Sequence, residues 1–271
     1  MINKLSNIGF IGAGNMATAI ISGLVQKNYP NSKIFVSSPE QDHLDRLKSD
    51  FSVNVYKDNK EVATRTSTLI LAVKPNVIQK VLEDLKSIIS DKNQLLISIV
   101  AGYKMCSIEC KLKNEARIVR VMPNTPASIG LGVSALTANE LATEMDKELS
   151  ESIFSSIGIT CWLEEKAFDL FTALIGSGPA YVFYLIEALQ EVAKGLDLEE
   201  AETRKLITEM IKGSSVLAKK SKDSPSLLRE KVTSPGGVTE KALEILNNKL
   251  VNESFKEAIT EATKRSRALG E

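Results

Sequence analysis

Apolar positions in roughly the first 165 residues cluster into short runs separated by helical patterns. The stretch 7–12, "NIGFIG", is a compact apolar run. Residues 15–28 follow, with Met16, Ile20, Ile21, Leu24 and Val25 at helical spacing. Further strand-like runs fall at 33–37, 53–56, 67–73, 94–101 and 117–122, with helical patterns at 40–50 and 77–89. Two more strand candidates, 132–137 and 158–163, flank a helix at 142–157. Strands that are apolar almost throughout and alternate with helices predict a mainly parallel sheet covered on both faces, the α/β doubly wound arrangement.

From about residue 166 the period becomes helical throughout. Helices are predicted over 164–176, 179–195, 199–222, 224–232, 239–249 and 252–269, with Gly195 at an expected C-terminal cap. The stretch 180–189, "AYVFYLIEAL", is apolar nearly all round. Such a helix needs a partner on every side, and a helical domain of this size offers few. Burial against a second copy is the expectation. The chain is thus read as an α/β domain over 1–165 and an all-α domain over 166–271.

Charge narrows the partners. Lys plus Arg is 34 and Asp plus Glu is 34, with no basic block, so no nucleic-acid partner is expected. The apolar run "TLILAV" is too short to span a bilayer, and no membrane partner is expected. The first residues run into a strand without a leader pattern. The cysteines are Cys106, Cys110 and Cys161, and this odd, low number suits a reducing compartment, hence the cytoplasm. Cys106 and Cys110 are spaced C-x3-C, but a single histidine leaves them short of ligands, so no metal site is expected.

One candidate site sits at the first strand-to-helix turn. "GFIGAGNMA" sets Gly12, Gly14 and Ala17 in the G-x-G-x-x-A spacing, closing a predicted strand and opening a predicted helix. Gly12 suits a tight turn, Gly14 a close approach of backbone to a pyrophosphate, and Ala17 close helix–strand packing. The helix start at Ala13, Asn15 and Met16 then offers free N–H groups to phosphates. At the end of the second strand Ser37 and Ser38 stand where an acidic residue would bind a ribose 2′-hydroxyl. This tilts the cofactor towards NADP(H), while nearby Glu40 and the lack of a following Arg leave NAD(H) open. Val73, Lys74 and Pro75, Ala101 and Gly102, and Asn124 with Thr125 fall at the carboxyl edge of later strands. Ligands bind along that edge in such sheets, and Asn124 and Thr125 are expected to face the nicotinamide end.

A second candidate lies in the helical part. Ser177 and Pro179 read as N-cap and first residue of a helix, with Gly176 and Gly178 leaving backbone bare. "SPGGVTEKAL" gives a second glycine-lined helix start at Gly236, Gly237, Val238 and Thr239, with more glycine than a local turn requires. Helix starts of this kind hold anions, including carboxylates. The single histidine, His43, falls in a charged, exposed helix. Ketone reduction calls for a positioned acid, often His or Lys, whereas a protonated imine already carries its proton when hydride arrives at carbon. Imine reduction therefore fits the residue inventory better, although a Lys or Tyr acid keeps ketone chemistry open.

Together "GFIGAGNMA", "AVKP", "MPNTP", "GSGPAYVF" and "TSPGG-T" resemble the pyrroline-5-carboxylate reductase family, in the family's order and over residues 9–240. The resemblance implies an N-terminal Rossmann domain and a C-terminal helical domain that forms homodimers, with rings of dimers in some members. It implies NAD(P)H-dependent reduction of 1-pyrroline-5-carboxylate to L-proline. By position it implies pyrophosphate contacts from Gly12 to Met16, with Ser37 and Ser38 near the ribose and Asn59 on the adenine side. Val73, Lys74 and Ala101 would line the cofactor cleft. Gly237, Val238 and Thr239 would bind the substrate carboxylate and imine, completed by Ser177, Gly178 and Pro179. The chain departs from the family at Val238, where many relatives carry a small or hydroxylated residue. Two other readings stay open: a β-hydroxyacid dehydrogenase using a lysine of the helical part, and a dimeric nucleotide sensor without turnover.

Overall fold

A computed structural model of the chain describes residues 6–92, 94–113 and 115–270. Eight strands form one sheet: β1 (Ile8–Ile11), β2 (Ile34–Ser37), β3 (Asn54–Tyr56), β4 (Thr68–Leu71), β5 (Leu95–Ser98), β6 (Arg117–Met122), β7 (Gly132–Ala138) and β8 (Gly158–Trp162). Their order is β3-β2-β1-β4-β5-β6-β7-β8, and every pairing is parallel except that of β6 with β7. The order reverses between β1 and β4, so the carboxyl ends of those strands open a crevice at a topological switch point. β1, β4 and β5 are buried at every position, which is why they read as apolar without alternation.

Helices cover both faces. α1 (Asn15–Gln26), α2 (Gln41–Phe51) and α6 (Glu144–Phe154) bury Ala17, Ile20, Leu24, Leu44 and Ile153 on one face. α3 (Asn59–Arg65), α4 (Ile78–Lys92) and α5 (Met105–Lys111) bury Val62, Ile78, Leu82, Leu85 and Ile108 on the other. α3 and α5 carry no expectation from the sequence. Each is seven residues long, too short for a helical period to show.

After β8 come α7 (Phe168–Phe171), α8 (Gly178–Ala193), α9 (Glu200–Lys220), α10 (Pro225–Lys231), α11 (Val238–Asn248) and α12 (Val251–Leu269). By packing, the chain divides into two compact units, residues 1–177 with 262–271 and residues 178–261. Phe168 and Phe171 are buried in a small cluster with Ala135, so the start of the helical region belongs to the sheet. The last turn of α12 also packs there, where Ser266 Oγ donates to Asp169 Oδ1 at 2.8 Å.

The smaller unit is all helix and nearly coreless on its own. Among residues 178–261 only Ala193 and Thr203 are buried. On α8 Phe183, Tyr184 and Val192 are exposed, and on the later helices so are Met210, Leu217, Leu246 and Phe255. The helical run 165–196 is long and apolar enough to cross a membrane by length and composition, a run the sequence reading underestimated.

Two helix ends differ from expectation. Ser177 is not a helix start. It follows a π-helical turn over Thr172–Gly176, has helical dihedrals, and donates its N–H to Thr172 O at 2.8 Å. Ser177 is a bend between that turn and α8, which opens at Gly178 and includes Pro179. Gly195 is not the left-handed cap either. A 3-10 turn spans Lys194–Leu196, and Asp197 takes the left-handed conformation at φ 54°.

Candidate active site

In the larger unit the cradle forms where β1 meets α1. Gly12 has φ +105°, and a Cβ on it would come within 2.5 Å of Ala72 O, so both conformation and space demand glycine. Its N–H donates to Ser37 O at 2.8 Å, which ties the turn to β2. Gly14 is different. It caps α1 with φ −73° and ψ −178°, a conformation open to any residue, and a Cβ there would meet nothing within 4 Å. Nothing in the fold requires glycine at that point, whereas a phosphate lying against the backbone would. The N–H groups of Asn15 and Met16 have no intrahelical carbonyl to meet, and no acid occupies the first turn of α1. Ala13 and Ala17 are buried below. These residues fit a dinucleotide pyrophosphate.

The end of β2 is organised by side-chain hydrogen bonds. Ser37 is fully buried, and its hydroxyl donates to Asn59 Oδ1 at 2.8 Å, which holds Asn59 at the start of α3. Ser38 is also buried, and its Oγ accepts from Glu40 N at 3.2 Å. Both serines shape the carboxyl edge of β2 from inside.

Further along the carboxyl edge, Val73 is half-buried while Lys74 and Pro75 are exposed beyond β4. Ala101 is exposed, and Gly102 turns the chain at φ +72°. Asn124 is tied to the protein through both ends of its amide. Its Oδ1 accepts from Val133 N at 2.8 Å, and its Nδ2 donates to Ile175 O at 3.1 Å. Pro179, four residues on, has no N–H to offer that carbonyl, so Asn124 supplies the missing donor. Thr125 is better placed. It lines an open depression of about 380 Å3 with Asn15, Met16, Thr18, Phe51 and Arg46. Arg46 escapes sequence reading because it lies mid-helix, nine residues past the end of β2.

Tyr103 and Glu165 are also missed by the motifs. Burial first, and the neighbouring Cys110 second, push the Tyr103 phenol above its ordinary value. His43 lies half-exposed on α2, its Nδ1 2.7 Å from Glu40 Oε2. Among the described residues no group of His, Cys, Asp and Glu could hold a metal ion.

In the smaller unit the second helix start forms as expected, but both glycines have local reasons. Gly237 N donates to Ser234 O at 3.0 Å, closing a turn with Pro235 second and Gly236 third at φ +72°. That is the geometry of a type II turn, whose third residue requires a positive φ. A Cβ on Gly237 would come within 2.9 Å of Ser234 O. Gly236 N donates to Glu240 Oε2 at 2.7 Å, so the turn uses the N–H groups of both glycines. The donors left at the start of α11 are those of Val238, Thr239 and Glu240. Val238 is 90% exposed, and the Thr239 hydroxyl lies next to it on the surface. Ser177 is exposed, and Gly178 and Pro179 are half-buried.

Comparison with known proteins places this architecture. Residues 165–269 match the family model described as pyrroline-5-carboxylate reductase dimerisation, so the helical region is built to oligomerise. Residues 7–102 match the model of coenzyme F420-dependent NADP oxidoreductases. The chain is 37% identical over 263 residues to the pyrroline-5-carboxylate reductase of Vibrio alginolyticus, covering 96% of each. It is 36% identical to that of Arabidopsis thaliana, over 97% of this chain and 95% of the relative. Among solved structures, the Coxiella burnetii pyrroline-5-carboxylate reductase matches with a TM-score of 0.90 at 40% identity, over 98% and 99% of the two chains. The Plasmodium falciparum pyrroline carboxylate reductase with NADP bound also matches with a TM-score of 0.90, at 32% identity over 99% of each chain. Full-length likeness at these identities establishes that the chain belongs to the pyrroline-5-carboxylate reductase family.

Proposed function

We propose that this chain reduces 1-pyrroline-5-carboxylate to L-proline, the last step of proline biosynthesis, with NADPH as cofactor and NADH as the alternative. The observation that carries the reading is Gly14, a glycine with no steric or conformational cause inside the protein, at the head of a bare helix start. Membership of the family supplies the substrate, and the relative solved with NADP bound supports the cofactor.

The bound dinucleotide supplies hydride. The turn from Gly12 to Met16 holds its pyrophosphate, Gly12 by shaping the backbone and the N–H groups at the start of α1 by donating, with the uncompensated positive end of α1 behind them. Asn59, held by Ser37, lies on the adenine side, and Ser38 shapes the same edge. Val73, Lys74, Pro75, Ala101 and Gly102 line the cleft. The N–H groups of Val238 and Thr239 hold the substrate carboxylate. The Thr239 hydroxyl accepts a hydrogen bond from the protonated ring nitrogen and orients the imine carbon towards hydride. Ser177, through its exposed hydroxyl, and Gly178 and Pro179 also serve the substrate, from this chain or from its dimer partner. The iminium nitrogen keeps its proton as the C=N bond becomes C–N, so no acid has to deliver one to it. A chain whose one histidine lies on an exposed helix suits such a reaction.

Residues 1–165 serve the cofactor, and residues 166–271 serve dimerisation and substrate. The exposed apolar side chains of the helical unit support a homo-oligomer, a dimer or a ring of dimers, in which a second copy rather than a lipid bilayer covers 165–196. The three free thiols support a cytoplasmic enzyme.

Steady-state kinetics with pyrroline-5-carboxylate and each cofactor tests the reading. Rapid NAD(P)H oxidation is expected, and folded protein that turns over neither NADPH nor NADH overturns it. Thr239→Ala should lower kcat by about 10²-fold, in the range of a lost positioned hydrogen-bond partner, with cofactor Kd nearly unchanged. An equal loss of cofactor affinity removes Thr239 from the substrate role.

A further inference from the structure

The loop between β5 and α5, residues 99–104, carries Ala101 and Gly102 along the carboxyl edge of the sheet. Loops at such an edge are held only by what packs against them, and this one is held by a side chain from far along the sequence. Met105 N, the first N–H of α5, donates to Glu165 Oε1 at 2.7 Å. The same carboxylate oxygen accepts from Arg120 Nη1 of β6, also at 2.7 Å. The Arg120 side chain is only 7% exposed, and its guanidinium lies over the Phe168 ring, 5.0 Å from the centroid. A buried guanidinium locked by an ion pair and an aromatic face has little rotameric freedom, so it fixes Glu165, and Glu165 fixes the loop. Glu165 is also the residue at which the match to the dimerisation family begins.

The loop is held from a second side. Gly270 lies so close that a Cβ on it would come within 2.6 Å of Gly102 O, and a Cβ on Gly102 would stand 3.5 Å from Leu269 Cβ. That last turn of α12 is anchored by Ser266 on Asp169 at 2.8 Å, four residues past Glu165.

We infer that Arg120 and Glu165 are positioning residues for the cofactor loop: the pair sets the backbone of Ala101 and Gly102 through the Met105 N–H and joins it to the first residues of the dimerisation region. This rests on the cofactor reading proposed above. The pair reaches the loop through Met105 and otherwise packs on Phe168, away from the residues assigned to the substrate. Losing it should weaken the grip on the dinucleotide without removing any group that acts on the substrate.

Equilibrium titration of NADPH by fluorescence, beside steady-state kinetics, tests the pair. Glu165→Ala removes both the ion pair and the acceptor for Met105 N–H. Kd and KM for NADPH should each rise about tenfold, with kcat at saturating cofactor within about twofold of wild type. Glu165→Gln retains a carbonyl acceptor for Met105 N–H and should recover most of that loss, a rescue that a purely structural ion pair would not give. Asp146→Asn is the control for instability. It removes the charge from a second, partly buried pair, Arg117 Nη1 to Asp146 Oδ1 at 2.6 Å, at a point outside the loop, and should lower the melting temperature without changing NADPH Kd. Should Glu165→Ala fold poorly, the double variant Arg120→Met with Glu165→Gln leaves no unpaired buried charge and should still show raised Kd. Wild-type protein that fails to bind NADPH overturns the cofactor reading itself. Wild type that binds, with Glu165→Ala binding equally tightly, overturns this inference alone. So does an equal rise in Kd for Asp146→Asn.

Discussion

Gly14 and Gly12 look alike in sequence and differ in cause. Gly12 has a positive φ and a carbonyl 2.5 Å from where its Cβ would stand, so any replacement strains the turn. Gly14 has an ordinary conformation and open space, so a methyl group there disturbs nothing until a ligand arrives. Gly14→Ala should therefore leave stability within about 0.5 kcal/mol of wild type, as for an uncommitted surface site. NADPH Kd should rise at least about tenfold as the added methyl blocks backbone approach to phosphate. Calorimetry and a binding titration on one sample read both, and unchanged affinity would show that the cradle does not hold the pyrophosphate. Polar residues at the strand ends differ in a similar way. Ser37 and Asn124 have the chemistry to touch a ligand, and each also bonds to a protein group. Sequence displays donors and acceptors without showing which are already engaged.

Among elements, the eight strands are legible because a sheet covered on both faces leaves runs that only a buried strand tolerates. The long helices are legible from their period. α3 and α5 are not, since seven residues make under two turns; α10, equally short, is legible from Ser224 as its cap and Pro225 at its first position. The π turn before Ser177 is invisible for another reason. Its hydrogen bonds reach one residue further than usual, and no residue type encodes that. The turn before α11 was legible in place but not in cause. Gly236 is there for its φ of +72°, and Gly237 because a Cβ would press on Ser234 O. Gly236→Ala should lower stability by about 1 kcal/mol through the left-handed strain. Because Glu240 is bonded to Gly236 N, the same change loosens the start of α11, so KM for pyrroline-5-carboxylate should rise while NADPH Kd holds. A rise in NADPH Kd of the same size would place this turn outside the substrate pocket.

On the scale of the whole molecule, the two units differ in how complete they are alone. The sheet has its core on both faces. Residues 178–261 bury two side chains and expose large apolar ones along several helices. Stability of such a unit is tied to protomer concentration by mass action. Raising protein concentration tenfold should raise the melting temperature of the helical part by a measurable few degrees, read by circular dichroism across dilutions. An unchanged melting temperature would mean that the helical unit is stable without a partner.

The scarcity of internal burial in residues 178–261 also bears on how copies come together in time. Two chains that complete each other's interior cannot part without exposing it, so separation is close to unfolding in its barrier. Assemblies formed separately and then mixed should trade subunits over hours or longer, whereas chains made side by side should mix freely. A catalytically dead variant would then enter mixed assemblies only when co-expressed. Mass spectrometry of differently isotope-labelled preparations, mixed after purification and followed in time, measures that rate directly.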